Sequence, residues 1–420
     1  MKKQLLIPLL LLAFTAMLWG TSFTSKSLLV ADSYMLRAQG CDANYWNPAL
    51  LNKETKEIWF PILNLGAHFG NNSLYLDLYN YVMDREYLDE EDKEYILNAF
   101  KDNLALSIGG QIALFGFTTG NVALSSSVHL GAKASLDKTY LKLLLYGNGD
   151  GSEVYTFDND ATNLEGLGYA DITVGVGDIR LPLPESIPDM KFGFSVSALA
   201  GILNTTTNDF EGHLSSNLDG FNYQQNVKQL AGAGGFGAKT LLGLYSQPIQ
   251  NLTVGATLDN LVGFIRWGMV REELNVNVHV DSLYAMDLLG DIDNLVGFDV
   301  QQEKTDPYTT RLPVEMRFAA KYGIPQASIS ADYIQGFGDS VQTSSQARFA
   351  IGAELRPIPL LSIFLGYGTP TRNYPWRTSL GVGLNLGLIE FGVGLQSIEQ
   401  FYPGYTTKGV ALANYFNIRF

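Results

Sequence analysis

Apolar and small or polar positions alternate along much of the chain. Leu380, Val382, Leu384 and Leu386 alternate with Ser379, Gly381, Gly383 and Asn385. Phe349, Ile351, Ala353 and Leu355 alternate with Arg348, Gly352 and Glu354. The final run sets Val410, Leu412, Phe416, Ile418 and Phe420 against Ala411, Ala413, Asn417 and Arg419. A period of two with one apolar face is the signature of a β-strand. The pattern predicts about 14 strands: Ile58–Gly70, Leu104–Gly116, Asn121–Lys133, Leu167–Arg180, Met190–Leu203, Gly232–Tyr245, Leu252–Arg266, Thr310–Tyr322, Ala327–Phe337, Gln346–Leu355, Leu361–Tyr367, Thr378–Leu386, Glu390–Ser397 and Gly409–Phe420. Two stretches break it and predict helices, Tyr87–Phe100, which Asp89 can cap, and Leu136–Tyr146.

The connections alternate in length. Phe117–Gly120, Leu181–Asp189, Ser246–Asn251, Gly323–Gln326, Arg356–Leu360 and Gly387–Ile389 are short. Asn71–Asn103, Ala134–Gly166, Asn204–Ala231, Trp267–Thr309, Gly338–Ser345, Gly368–Arg377 and Ile398–Lys408 are long. In an up-and-down barrel this parity puts every long loop at one end and every short turn at the other. Membrane barrels keep that asymmetry and a soluble sandwich has no reason to. The expected fold is therefore all-β, a transmembrane antiparallel β-barrel with short helices in its extracellular loops.

Composition agrees with this. The chain is 46% hydrophobic and 17% charged, with 43 Gly, 22 Tyr and 23 Phe. No mature stretch approaches the ~18 uninterrupted apolar residues that argue a spanning helix. Lys2 and Lys3 precede an apolar run, Leu5 to Trp19, of signal-peptide length. The expected organisation is a signal peptide over 1–22, an N-terminal hatch or plug over 23–56 and the barrel over 57–420, in a bacterial outer membrane. The net charge of −14 argues against a nucleic-acid partner. Outer-membrane lipid is the expected surroundings, and Trp267, Tyr308, Tyr322, Tyr333, Tyr374, Trp376 and Tyr402 lie near strand ends, where aromatic girdles belong.

Charged residues fall on the inward faces. Asp171, Asp259, Glu315, Arg317, Lys321, Asp332, Arg348, Glu354, Glu390 and Arg419 give the lumen both signs, expected as a satisfied network with the plug. Ser125, Ser127 and His129 share one strand face, a minimal nucleophile-and-base set with no identifiable third member, so a polar lumen histidine is the better reading and no enzyme is expected. His68, His129, His213, His279 and the single Cys41 show no metal-site spacing, the acidic loop Gly147–Glu153 does not fit a calcium-loop spacing, and no cofactor is implied. Cys41 is expected to be structural.

Phe416, Ile418 and the terminal Phe420 resemble the C-terminal signal strand of outer-membrane barrels, which implies recognition by barrel-assembly machinery. Arg37-Ala38, Gly40, Asp42-Ala43 and Asn47-Pro48-Ala49-Leu50 resemble the hatch of the long-chain fatty-acid transporter (FadL-like) superfamily, as do Arg348–Pro357 and Leu361–Tyr367. That resemblance implies a 14-stranded barrel plugged by a hatch containing Asn47, Pro48 and Ala49, and uptake of small hydrophobic molecules when the hatch moves. The superfamily also holds PorV-like barrels that bind secreted proteins, so the alternative is a protein-binding or assembly role. The partner is then a hydrophobic small molecule or a secreted or periplasmic protein.

Overall fold

The structure is a computed structural model, and it describes residues 24–52, 55–100, 103–147, 154–158, 161–182, 189–217, 220–283, 296–371 and 375–420. The signal-peptide range, most of the acidic loop and Tyr374 lie outside the described residues. The N-terminal segment carries a one-turn helix, α1 (Ala43–Trp46), and does not join the sheet. The first barrel strand is broken into β1 (Glu57–Trp59) and β2 (Leu65–Asn71). Two helices follow in the long connection after β2, α2 (Leu76–Met83) and α3 (Glu90–Ala99). Next come β3 (Asn103–Thr119), β4 (Val122–Asp137) and helix α4 (Lys138–Tyr146). A short strip, β5 (Tyr155–Phe157), precedes β6 (Asn163–Arg180), β7 (Met190–Asn217), β8 (Gly220–Ile249) and β9 (Leu252–Leu283). β10 (Val296–Lys304), β11 (Tyr308–Arg311) and β12 (Glu315–Ile324) are pieces of one barrel strand, all paired to β9. The wall continues as β13 (Ala327–Gly336), β14 (Arg348–Ile358), β15 (Leu361–Gly368), β16 (Arg377–Asn385), β17 (Ile389–Ile398) and β18 (Gly409–Arg419).

Merging the broken strands and setting β5 aside leaves a closed antiparallel barrel of 14 strands. Closure is direct. β18 pairs with β17 on one side, and on the other with β2 over 409–414 and with β1 over 417–419. The Phe420 N–H donates to the Lys56 carbonyl at 3.1 Å, so pairing runs to the end of the strand. In lipid an unpaired backbone group costs several kcal/mol, roughly, and closure removes the edge that would carry such groups.

The faces sort as the alternation requires. On β18 Val410 and Leu412 point outward and are exposed, whereas Ala411, Tyr415 and Asn417 are buried inside. Phe318, Phe349, Ile351, Leu380 and Val382 are likewise exposed on the outer face. A barrel with an apolar exterior and a polar interior is stable only with lipid around it.

Three differences from the sequence expectation stand out. The first strand is not continuous: residues 60–64 loop outward, with Ile62 at φ 69°. Buried Asn64 mends the seam. Its Nδ2 donates to the Phe416 carbonyl at 3.1 Å and its Oδ1 accepts from the Phe416 N–H at 3.2 Å, replacing one rung of the ladder. Secondly, Asn204–Ala231 and most of Trp267–Thr309 are strand rather than loop, because β7, β8 and β9 run for 28, 30 and 32 residues. Crossing the bilayer takes only ~9–11 residues, so these strands rise beyond it as a blade in the order β5-β7-β8-β9-β10. One face of the blade carries polar rows, such as Asp209–Lys228–Asn275–Gln301. Away from lipid neither face has to be apolar, so the alternation that marks the lower strands weakens there. Thirdly, α2 falls within the expected loop after the first strand.

The two expected helices form, somewhat shorter than the pattern suggested. Asp89 caps α3 by accepting from the Asp92 N–H at 2.9 Å, and Asp92 returns the contact to the Asp89 N–H at 3.2 Å. This reciprocal cap satisfies two backbone donors that a helix start otherwise leaves open.

Candidate functional site

The N-terminal segment lies inside the barrel. Tyr34, Met35, Leu36, Cys41, Tyr45, Trp46 and Leu51 form a buried cluster with Trp59 and Ala113 of the wall. Cys41 is buried and unoxidised, packed as a small apolar side chain.

The Asn47-Pro48-Ala49 turn is fixed by local chemistry. Pro48 forces Asn47 into an extended conformation, φ −158°. The Asn47 Oδ1 then accepts from the Ala49 N–H at 3.1 Å, capping the short turn Pro48–Leu50. Its Nδ2 donates to the Leu244 carbonyl of β8 at 3.1 Å. One amide thus makes the turn and ties it to the wall. The wall accommodates it through glycines. A Cβ at Gly177 or Gly193 would collide with Pro48, and one at Gly243 with Asn47. Inward glycines in β6, β7 and β8 are therefore a seat for backbone, not only the small half of an alternation.

Every expected lumen charge except Lys321 and Asp259 meets a charged or hydrogen-bonding side-chain partner. Asp32 of the segment reaches Arg377 at 2.8 Å and Arg348 at 3.3 Å. Arg348 is 4.0 Å from Glu315, which binds Arg317 at 2.7 Å, and the Arg317 guanidinium lies 4.3 Å over the Trp46 ring. Asp332 accepts from Ser33 Oγ at 2.6 Å and from the Met35 N–H at 3.1 Å. Asp171 accepts from Tyr45 Oη at 2.7 Å and meets His129 Nε2 at 2.7 Å. Glu57, fully buried, accepts from Arg419 Nε at 2.6 Å, Trp59 Nε1 at 2.7 Å and the Cys41 N–H at 3.2 Å. Glu390 bridges Arg419 at 3.0 Å and Lys26 at 3.2 Å. Arg37 and Arg356 both bind Glu354, at 3.4 and 2.8 Å. Asp259 accepts only from the N–H of Asn260 among the described residues. Lys321 donates to the Leu36 carbonyl at 2.6 Å.

Of the partners on the segment's side, Arg37 falls in the hatch motif, while Lys26, Asp32, Ser33 and Tyr45 carry no sequence signal of their own. A non-repetitive segment has no periodicity that says which residues face the wall. The partner that His129 lacks in the sequence is Asp171, but it does not make a catalytic set. Ser127 accepts from Gln111 Nε2 at 2.9 Å, and His129 sits buried between Tyr45 and Tyr169 with ring centroids 5.9 and 5.0 Å away. The arrangement is a buried polar clamp on Tyr45. Among the described residues no group of three or more His, Cys, Asp or Glu is placed to hold a metal.

Below the segment, at the short-turn end that such barrels turn toward the periplasm, lies a cup of about 830 Å³. Leu29, Val30 and Tyr34 of the segment and Phe364 of β15 contribute to its wall, and Lys321, Glu354, Arg356, Glu390 and Arg419 give it charge.

These features define a class: an outer-membrane-type β-barrel of 14 strands whose lumen is filled by its own N-terminal segment. A family model described as a family of unknown function (DUF5723) matches residues 48–236. No curated protein matches the sequence. Among solved structures the chain is similar to the Pseudomonas putida toluene transporter TodX, with 11% identity over 91% of this chain and 95% of that one and a TM-score of 0.48. It is similar to a Pseudomonas aeruginosa FadL homologue at 10% identity over 95% and 99% of the two chains, TM-score 0.47. The translocator domain of the autotransporter NalP from Neisseria meningitidis aligns at 10% identity over 94% and 99%, TM-score 0.32.

Proposed function

We propose that the barrel is a gated outer-membrane pathway for small hydrophobic molecules, closed at rest by the N-terminal segment acting as a hatch. The observation that carries this reading is how the segment is held. It contributes no strand to the sheet, and its attachment is a set of separate side-chain links through Asp32, Ser33, Arg37, Asn47 and Tyr45 to a glycine-paved wall. Such links can exchange one at a time, whereas a strand would have to unpair along its whole length. Asn47, Pro48 and Ala49 are the hatch residues in this reading, and the lumen charges are its latch.

A second reading, a protein-binding or assembly barrel, is favoured by one observation. The blade of β7 to β10 is a built extracellular sheet with rows of polar side chains, a rigid presentation surface beyond what a conduit requires. Native mass spectrometry of the protein released from its own outer membrane in mild detergent separates the two. Adducts of apolar molecules are the expected result for the conduit. A co-released protein at fixed stoichiometry, with no apolar adduct, overturns it in favour of the second reading.

A further inference from the structure

The cup at the short-turn end carries net positive charge in an acidic chain. Five cations and two carboxylates line it, Lys26, Arg37, Lys321, Arg356 and Arg419 against Glu354 and Glu390. Most of this charge is internally matched. Lys26 and Arg419 share Glu390, and behind it Arg419 holds Glu57 while Lys26 lies 3.8 Å from Asp42. Arg37 and Arg356 share the single carboxylate of Glu354. Lys321 is left over. No carboxylate lies within ion-pair distance of it among the described residues, and its ammonium makes one bond, to the Leu36 carbonyl.

Donors divide differently from charge. Arg37 has none to spare, because Ser330, Ser328, Glu354 and the carbonyls of Ser328 and Gly352 take all of its N–H groups. Arg356 spends Nε on Glu354 and leaves both Nη groups without a protein acceptor among the described residues, with its side chain half exposed. Lys321 retains two N–H donors. An ammonium held in a recess without a counter-charge is unfavourable unless an anion completes it. An arginine fork beside a lysine point charge is suited to a multiply charged oxyanion.

We infer that this cup binds a phosphate-class oxyanion through Lys321 and Arg356, with the Arg37 charge behind them. The oxyanion is either free phosphate or the headgroup of an amphiphile whose apolar part meets Leu29, Val30 and Phe364. The assignment does not depend on whether the lumen conducts.

The test is calorimetric titration of the full barrel in neutral detergent with inorganic phosphate, with dodecyl phosphate and with dodecanol. Binding of either phosphate, weakened about tenfold or more in Lys321→Gln or in Arg356→Gln and weakened by salt, is the expected result. Inorganic phosphate binding as well as dodecyl phosphate assigns a free ion; dodecyl phosphate alone assigns a headgroup. Absence of binding by both phosphates, equal binding of dodecanol, or binding untouched by both substitutions overturns the inference. Arg356 lies near the exposed β14–β15 turn, so its variant keeps the test decisive if Lys321→Gln does not assemble.

Discussion

At the scale of single residues, the lumen is organised by groups that do two jobs. Asn47 caps its own turn and bonds the wall; Glu57 joins the segment at Cys41, the first strand at Trp59 and the last at Arg419. Removing one partner of such a buried charged set typically costs ~3–5 kcal/mol, because the other is left uncompensated. The glycine seat gives a cleaner test than the charges. Gly193→Val places atoms where the Pro48–Ala49 peptide lies. We expect a loss of about 1–3 kcal/mol, the usual range for overpacking, read as a lower midpoint in urea unfolding of the refolded barrel. An unchanged midpoint means the turn does not press on that strand. Asn47, Pro48 and Ala49 are conspicuous in the sequence because Asn-Pro restricts the backbone wherever it occurs. Gly177, Gly193 and Gly243 are not, since an inward glycine in a barrel strand has an adequate explanation without a neighbour.

At the scale of elements, the cap of α2 and α3 at the long-loop end is pinned by one carboxylate. Asp92 accepts from Tyr81 Oη at 2.6 Å and Arg85 Nε at 2.5 Å, as well as from the Asp89 N–H. The Tyr81 hydroxyl first, and then Arg85 and the backbone bond, hold its carboxyl below the usual carboxylate range. A depressed folded value means the stabilisation is fully present above the ordinary value of 3.8 and is lost as pH falls through the lowered one. The cap is therefore expected to keep its protection from proteolysis at pH 5 and to lose it only well below 3.8, where the barrel itself persists. Loosening already between pH 7 and pH 5 would mean that another group controls it. The cap helix was legible because its signals are local, Asp89 and Asp92 at capping spacing. The upper halves of β7, β8 and β9 were less so. Leu274, Val276, Val278 and Val280 do alternate with Asn275, Asn277 and His279, but Asn204–Ala231 has no such run, and it is held as strand by ladder bonds to its neighbours.

At the scale of the whole molecule, the sheet closes without the segment that fills it, so barrel and segment are separable in principle. Deleting Lys26–Lys56 is expected to leave a heat-modifiable barrel and to raise uptake of a small solute severalfold in vesicles, since ~14 strands enclose a lumen wide enough to need filling. Unchanged uptake would place the closure elsewhere, in the extracellular loops or the blade. The sequence alone determined the number of barrel strands, the apolar outer faces of strands such as β14, β16 and β18, and the inward charges. Each of these repeats along the chain, and repetition with a period of two is readable without a partner. Only the tertiary structure decided which charges pair, that residues 60–64 leave the first strand with Asn64 closing the gap, that the upper strands form a blade, and that Lys321 is the cation of the cup with no carboxylate at ion-pair distance among the described residues. These depend on contacts between residues up to hundreds of positions apart, and no local pattern carries that information.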